Sequence, residues 1–160
     1  MWASIVAVAG TLAGVGLTGF TQQWIERRAR RREHDREVRA QVSRLLKAVL
    51  RYRELHWLFV QDIRDGQRET REHRVARYRA RSEVTEALDE LALTTGDRTL
   101  LEAASTAAWH AIGLSDITLG PVRRRRFAPG VEARLAAGRG RTRDAHSALR
   151  EAGHAYRPRR

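Results

Sequence analysis

The first 25 residues of the chain carry no charged side chain, and five arginines then follow within six residues. Residues 2–20, WASIVAVAGTLAGVGLTGF, are apolar or small on every side of a helix. Nineteen residues at about 1.5 Å each span roughly 28 Å, which is close to the hydrocarbon thickness of a bilayer. A buried amphipathic helix would need a polar face, and this segment has none. The sequence therefore predicts a single transmembrane helix within an anchor of residues 1–25.

The arginines that follow this segment predict its orientation. A secretory signal peptide carries positive charge before its apolar run, whereas here the charge comes after it. Arginines next to a span remain on the cytoplasmic side, so we expect the N-terminus outside and the rest of the chain in the cytoplasm, at the cell (inner) membrane. Trp2 and Trp24 bracket the span as interface anchors. The arginines expected to contact the anionic inner leaflet are Arg27, Arg28, Arg30, Arg31 and Arg32.

One side of the predicted span consists of small residues. At 100° per residue, Ala3, Ala7, Gly10 and Gly14 form a stripe, and the two glycines make a GxxxG pair that lets helix backbones approach closely. This pattern favours a homo-oligomer or packing against another membrane protein. The alternative is that alanine and glycine are simply common in spans from GC-rich genomes, which the ratio of 30 arginines to one lysine also suggests.

Beyond a basic juxtamembrane helix at residues 26–37, apolar residues recur in alternating steps of three and four, as in a heptad. Additional apolar positions widen this stripe beyond a two-helix seam, which favours a helix inside a bundle. His56 falls on the stripe, where we expect a hydrogen-bonded core histidine. Asp65 and Gly66 predict the turn that follows. The stripe consists of Val38, Val42, Leu45, Val49, Tyr52, His56, Phe59 and Ile63.

Three more helices are predicted after this turn. A second helix covers 67–93, with Gly96 at its end, and a capping box at Thr99 to Glu102 opens a third that ends near Gly113. A loop covers residues 115–129, and Pro129 opens the fourth helix. The expected inward residues are Val75, Tyr78, Val84, Leu88 and Leu91 on the second helix, Leu101, Ala104, Ala108 and Ile112 on the third, and Val131, Leu135, Ala145, Leu149 and Ala152 on the fourth.

The predicted fold class is therefore all-α, with an N-terminal transmembrane helix that continues into an antiparallel bundle of three to four helices. The bundle covers residues 38–156, and residues 157–160 form a basic tail. An up-down order would return this tail to the membrane end of the bundle.

The net charge of +12 is concentrated in two regions, with +5 over residues 26–65 and +8 over residues 115–160. An anionic leaflet would attract these arginines. Alternatively, the loop arginines could bind the phosphates of nucleic acid while Phe127 stacks on a base. A solvated loop or an acidic protein partner are further alternatives, and no base-reading motif supports nucleic acid. The candidate polyanion contacts here are Arg123, Arg124, Arg125, Arg126, Arg157, Arg159 and Arg160.

The sequence offers no catalytic or cofactor-binding pattern. It contains no cysteine, and its six histidines form no close ligand pair, so no metal site is expected. It has no phosphate-binding loop, nucleophile elbow or paired-carboxylate motif. We therefore expect a non-enzymatic protein with no catalytic residues and no cofactor.

The opening MWASIVAVAGTLAGVGLTGFTQQ resembles short actinomycete membrane proteins of chromosomes and mobile elements, some of them KilB-like. The shared features are a start of the form MW-x-x-I-V-A-V-A-G-T-L-x-G, a glutamine pair and an arginine-rich helix, over about 30 residues. The resemblance implies a membrane component of intercellular plasmid spread that works as an assembly or docking protein. A membrane-tethered nucleic-acid-binding protein is the alternative, and a phage-type pore former is a third hypothesis, which the large cytoplasmic domain disfavours.

Overall fold

The computed structural model describes the backbone of residues 2–157 and the side chains of residues 26–157. Its regular structure is helical, and within the described residues the β-type pairing is confined to an isolated bridge between Arg123 and Arg126. The prediction of an all-α fold with four helices is confirmed. The helices are α1 (Trp2–Arg64), α2 (Arg71–Thr94), α3 (Arg98–Ile112) and α4 (Pro129–Ala155), with a 3₁₀ turn at Gly113–Asp116.

The chain divides into two compact units after Glu37. In the first unit, the side chains of residues 26–34 are all exposed, and Arg30 pairs with Glu26 one helical turn earlier at 3.2 Å. Among the residues with described side chains, no helix combines the length and apolarity needed to cross a bilayer. The predicted span lies outside those residues, and so do its proposed packing and anchor residues, namely Ala3, Ala7, Gly10, Gly14, Trp2 and Trp24.

In the second unit, α1 buries the apolar stripe that its sequence predicts. From Val38 to His56 every residue of the stripe is buried, whereas Phe59 and Ile63 are partly exposed. His56 is only 2% exposed, but neither ring nitrogen has a hydrogen-bond partner among the described residues. The core position of this histidine is therefore confirmed, and no described residue supplies the hydrogen bond that the sequence analysis expects.

The start of α2 differs from the prediction. The Thr70 hydroxyl caps the helix by accepting a hydrogen bond from the His73 N–H at 3.2 Å, so the helix begins at Arg71 rather than at residue 67. Val75 and Tyr78 are 48% and 58% exposed, which contradicts their predicted inward position. The reason is that Arg77 occupies the core side of this turn, with its guanidinium 4.4 Å from the centre of the Phe59 ring. The buried residues of α2 are Ala80, Val84, Ala87 and Leu91.

The start of α3 also differs, by two residues. The Asp97 carboxylate accepts from the Leu100 N–H at 2.9 Å, so Asp97 is the N-cap and the predicted capping box at Thr99 is wrong. Glu102 instead pairs with Arg98 at 2.7 Å. The small inward face is confirmed, although Leu101 is only half-buried. The buried residues of α3 are Leu100, Ala104, Ala107, Ala108, Ala111 and Ile112.

Helix α4 begins at Pro129 as predicted, and it packs closely against the preceding turn. Gly138 is buried, and a Cβ atom there would lie 2.8 Å from Leu114 Cδ2. The glycine that weakens this helix by propensity therefore permits its close approach to the end of α3. Val131, Leu135, Ala145 and Leu149 are buried as predicted, while Ala152 is half-buried.

Ion pairs between α1 and α2 show that these helices are antiparallel. Arg44 pairs with Glu90, and Arg51 Nε lies 3.9 Å from Glu83 Oε2, so residue numbers fall along α2 as they rise along α1. The short connection at residues 95–97 then reverses the chain into α3.

Helix α4 is also antiparallel to α1. Arg64 Nη2 lies 2.6 Å from Glu132 Oε2 at one end of the unit, and Gly153 faces Val42 at the other. Tyr156 belongs to the same buried cluster as Val38, so the chain returns to the end at which this part of α1 starts. The second unit is thus an up-down bundle of four helices.

Candidate anion-binding groove

The predicted arginine loop is a tight turn at one end of the second unit. The Arg123 N–H donates to the Arg126 carbonyl at 2.9 Å, and the Arg126 N–H donates back at 3.1 Å. Arg124 and Arg125, between them, have φ values of 50° and 62°. Such left-handed conformations cost a non-glycine residue about 1 kcal/mol or more each. All four side chains are exposed, and Arg125 pairs with Asp65.

Phe127 fixes this turn to the bundle. Its ring is only 4% exposed, its N–H donates to Glu132 Oε1 at 3.0 Å, and the Arg64 guanidinium lies 5.5 Å from the ring centre. The burial of Phe127 argues against the alternative in which it stacks on a base, because its ring is part of the core.

The basic tail lies at the other end of the unit. Arg157 is exposed and follows Tyr156, which packs in the cluster that contains Val38. From Val38 to Arg64, α1 covers about 39 Å by its helical rise. Arg159 and Arg160 lie outside the described residues, and the arginines of residues 27–32 are exposed in the first unit. Their contact with lipid stays a prediction.

A further set of arginines, which the sequence did not single out, lines the groove between α1 and α4. Arg139, Arg143 and Arg150 follow one another at four and seven residues on α4, which places them on one face of the helix. Among the described residues, none of the groove arginines forms an ion pair with a carboxylate within 4.0 Å. We call this set the groove arginines: Arg39, Arg53, Arg139, Arg143 and Arg150.

Two clefts are lined by four of these five arginines, all except Arg53. One, of about 360 Å³, is lined by Arg139 and Arg143 together with Trp57. The other, of about 420 Å³, lies towards the Val38 end and is lined by Arg39 and Arg150. The guanidinium of Arg139 lies 4.3 Å from the centre of the Trp57 ring, a cation–π contact that holds it in place.

The lowered pKa values of Arg53 and His146 show that the basic groups of the groove lie close together. Burial lowers the pKa of Arg53, and the charges of Arg143 and Arg139 lower it further. Burial likewise lowers the pKa of His146, with further contributions from Arg53 and Arg150. Arg53 Nε and His146 Nδ1 are buried and lack a hydrogen-bond partner among the described residues. An unpaired guanidinium N–H such as that of Arg53 is costly to bury, so an anion that accepted a hydrogen bond from it would be stabilised.

Two carboxylates lie near the groove without neutralising it. Glu54 is close enough to raise the pKa of Arg53, but its effect is the smallest of the four contributions. Glu132 is already bound to Arg64 and to the Phe127 N–H. Within the described part of the chain, no cluster of three or more acidic, histidine or cysteine side chains is arranged to hold a metal ion. Its unpaired arginines make the groove a candidate site for anions.

A comparison with models of protein families identifies the family to which the bundle belongs. The model of the KilB plasmid transfer protein family matches residues 39–157, which is most of the second unit. The chain belongs to this family. No curated protein and no solved structure matches it.

The family predicted from the sequence is thus confirmed, but on a different part of the chain. The resemblance lay in the first 30 or so residues, whereas the family match begins at Arg39 and includes the whole of α2, α3 and α4. The groove arginines all lie within the matched residues. The spacing of Arg139, Arg143 and Arg150 was visible in the sequence, but their lack of acidic partners depends on what α1 places opposite them.

Proposed function

We propose that this KilB-family chain is a non-enzymatic, single-pass protein of the cell membrane that acts as an assembly and docking component in the transfer of plasmids between cells. Its N-terminus lies outside, residues 2–20 span the bilayer, and the helical bundle is cytoplasmic. The observation that carries this proposal is the family match to residues 39–157, in a chain that also has an uncharged apolar segment before its arginines.

The backbone of α1 supports the membrane role. The helix runs from Trp2 to Arg64, so the apolar segment adopts a conformation that satisfies its own backbone hydrogen bonds, as a bilayer requires. The exposed arginines at residues 27–32 would then meet the headgroups of the anionic leaflet, where each contributes about 1 kcal/mol of attraction.

Self-association through the small residues of the span is the docking step that we propose within the membrane. Ala3, Ala7, Gly10 and Gly14 would allow two copies to pack closely, or one copy to pack on another membrane protein. The bundle would serve as the cytoplasmic docking surface.

A topology and transfer experiment tests this function. A reporter that is active only outside the membrane should be silent when fused after Arg160, and deletion of residues 1–25 should release the protein from the membrane fraction and abolish plasmid transfer. External reporter activity would overturn the orientation, and undiminished transfer by the released protein would overturn the membrane role.

A second set of variants separates anchoring from packing. Gly10→Ile and Gly14→Ile should weaken self-association in a bilayer reporter assay, while Leu12→Ile on the opposite face serves as the control. Equal behaviour of all three variants would show that the small residues are not a packing face. Restoration of transfer by an unrelated span in place of residues 2–20 would show that anchoring alone is required.

A further inference from the structure

We propose that the groove between α1 and α4 binds the phosphodiester backbone of nucleic acid, without reading its sequence. This proposal goes beyond the membrane role and does not depend on it, because every residue that carries it lies in the second unit. It also differs from the sequence-based expectation, which placed polyanion contacts at the two ends of the bundle rather than along its side.

The first reason is that the charge of the groove is unneutralised. On other faces of the same unit arginines are bound by carboxylates, as in the pairs of Arg44 with Glu90 and Arg77 with Glu69. Arg53, Arg139 and Arg143 approach one another closely enough to lower the pKa of Arg53, and none has an ion-pair partner among the described residues. Folding therefore brings positive charges close together, and a bound polyanion would reduce the repulsion between them.

The second reason is the linear arrangement of the arginines. From Arg139 to Arg150, α4 rises by about 16 Å, and Arg39 and Arg53 accompany this row on α1. A strand of duplex DNA carries one phosphate per roughly 3.4 Å of helix axis, so the α4 row spans about five phosphates. A row along the side of the bundle suits a linear polyanion.

The third reason is the stack of Arg139 on Trp57. The guanidinium lies over the indole ring at 4.3 Å, and a stacked guanidinium still has its in-plane N–H groups available to donate to a phosphate. The stack also covers the face of Trp57 that would serve as an aromatic anchor for a protein partner. The groove offers charge without that anchor, which favours a phosphate backbone over an acidic protein.

The experiment uses the full chain in nanodiscs of neutral phosphatidylcholine, so that lipid charge does not compete. The probe is a fluorescent DNA duplex of about 20 base pairs, longer than the groove, and its binding is followed by anisotropy at several salt concentrations. The groove variant is Arg139→Gln, Arg143→Gln and Arg150→Gln together. The matched control removes the same charge from exposed arginines without ion pairs among the described residues, through Arg68→Gln, Arg71→Gln and Arg79→Gln.

We expect the groove variant to bind the duplex at least about tenfold more weakly near 0.1 M salt. The slope of log affinity against log salt should fall by about 2 to 3, because each lost phosphate contact contributes about 0.9. The control should change both quantities much less, and duplexes of unrelated sequence should bind alike.

The proposal would be overturned if the wild-type chain does not bind the duplex at all, if the groove variant and the control weaken binding equally, or if polyglutamate of matched charge binds to the groove as tightly as DNA does. The last result would assign the groove to an acidic protein. Circular dichroism of both variants distinguishes loss of contact from loss of fold, and a folded groove variant that retains wild-type affinity also contradicts the proposal.

Discussion

The arginines on the two sides of α1 in the bundle differ in whether carboxylates neutralise them. Towards α2, arginines are bound by carboxylates: Arg44 by Glu90 and Arg51 by Glu83 across the two helices, and Arg77 of α2, which lies over Phe59 of α1, by Glu69 at 2.8 Å. Towards α4, Arg64 at the end of α1 is bound by Glu132, but further back along the helix Arg53 faces Arg139 and Arg143 and has no carboxylate partner among the described residues. We call these the paired side and the unpaired side.

This difference separates the arginines of the bundle into two sets by what lies opposite them. Arginine is abundant in the chain, so its abundance says little about any single residue. On the paired side, Arg44 and Arg51 of α1 form ion pairs with Glu90 and Glu83 of α2. On the unpaired side, the like charges of Arg53, Arg139 and Arg143 lower the pKa of Arg53, which is why we propose an external anion for them.

The largest effect should come from acid acting on His56. Burial, followed by the charge of Arg77, lowers its pKa from 6.5 to about 4. The unfolded chain therefore binds a proton more readily than the folded one, and stability should fall as the pH drops from about 6.5 to about 4, by roughly 3 kcal/mol from this group. His56→Leu should remove that part of the pH dependence, as measured by denaturant unfolding across this range. An unchanged pH profile would contradict the buried neutral state of the ring.

The next effect tests how closely α4 packs against α1 on the unpaired side. A Cβ atom at Gly153 would lie 2.8 Å from Val42 Cγ1, and valine has little rotamer freedom in a helix. Gly153→Val should therefore lower the free energy of unfolding by about 2 kcal/mol. Gly140 on the same helix has nothing within 4 Å of its Cβ position, so Gly140→Val should change stability by less than about 0.5 kcal/mol. Equal losses of stability in the two variants would mean that helix propensity, rather than packing against Val42, determines the effect.

A smaller effect is expected from a carboxylate of the paired side. Glu69 is almost buried and accepts hydrogen bonds from both Arg77 and Arg74. Glu69→Gln should cost about 1 to 2 kcal/mol in thermal or denaturant unfolding, because it weakens charge-assisted hydrogen bonds in a partly desolvated site. The exposed pair of Glu102 with Arg98 provides the control, and Glu102→Gln should cost less than about 0.5 kcal/mol. If Glu69→Gln and Glu102→Gln lower the free energy of unfolding equally, burial of the Glu69 carboxylate does not strengthen its hydrogen bonds.

The smallest effect on stability should come from the unpaired side. Arg150→Gln removes an exposed charge that has no carboxylate partner among the described residues, so the free energy of unfolding should change by less than about 0.5 kcal/mol. Because Arg150 helps to lower the pKa of His146, that pKa should rise towards its ordinary value in the variant, as followed by NMR titration. Arg79→Gln on α2 should leave it unchanged. A marked loss of stability would show that Arg150 is structural and would weaken the distinction between the two sides.

The main features of the fold could be predicted from the sequence because they rest on local periodicity. The stripe from Val38 to His56, the turn at Asp65–Gly66 and the start of α4 at Pro129 all follow from spacing or from backbone preference. The errors lie where a tertiary contact overrides a local signal. Tyr78 was predicted to face inwards, but Arg77 occupies that side by lying over Phe59.

The candidate site was less accessible to sequence reasoning. The arginines at 123–126 are predicted as polyanion contacts because they are consecutive in the sequence. In the structure, their turn is held to the bundle by Phe127 and by the pair of Arg125 with Asp65. The groove arginines are scattered over α1 and α4, which have the whole of α2 and α3 between them in the chain, and no local pattern marks them as a set.

Composition and short-range spacing are enough to set the helical class, the apolar character of residues 2–20 and the total charge. Which arginines are neutralised depends instead on tertiary packing. Whether a guanidinium meets a carboxylate or another guanidinium depends on the helix that lies opposite, and the antiparallel pairing of α1 with α2 and with α4 sets this for Arg51 and for Arg53, two residues apart on α1.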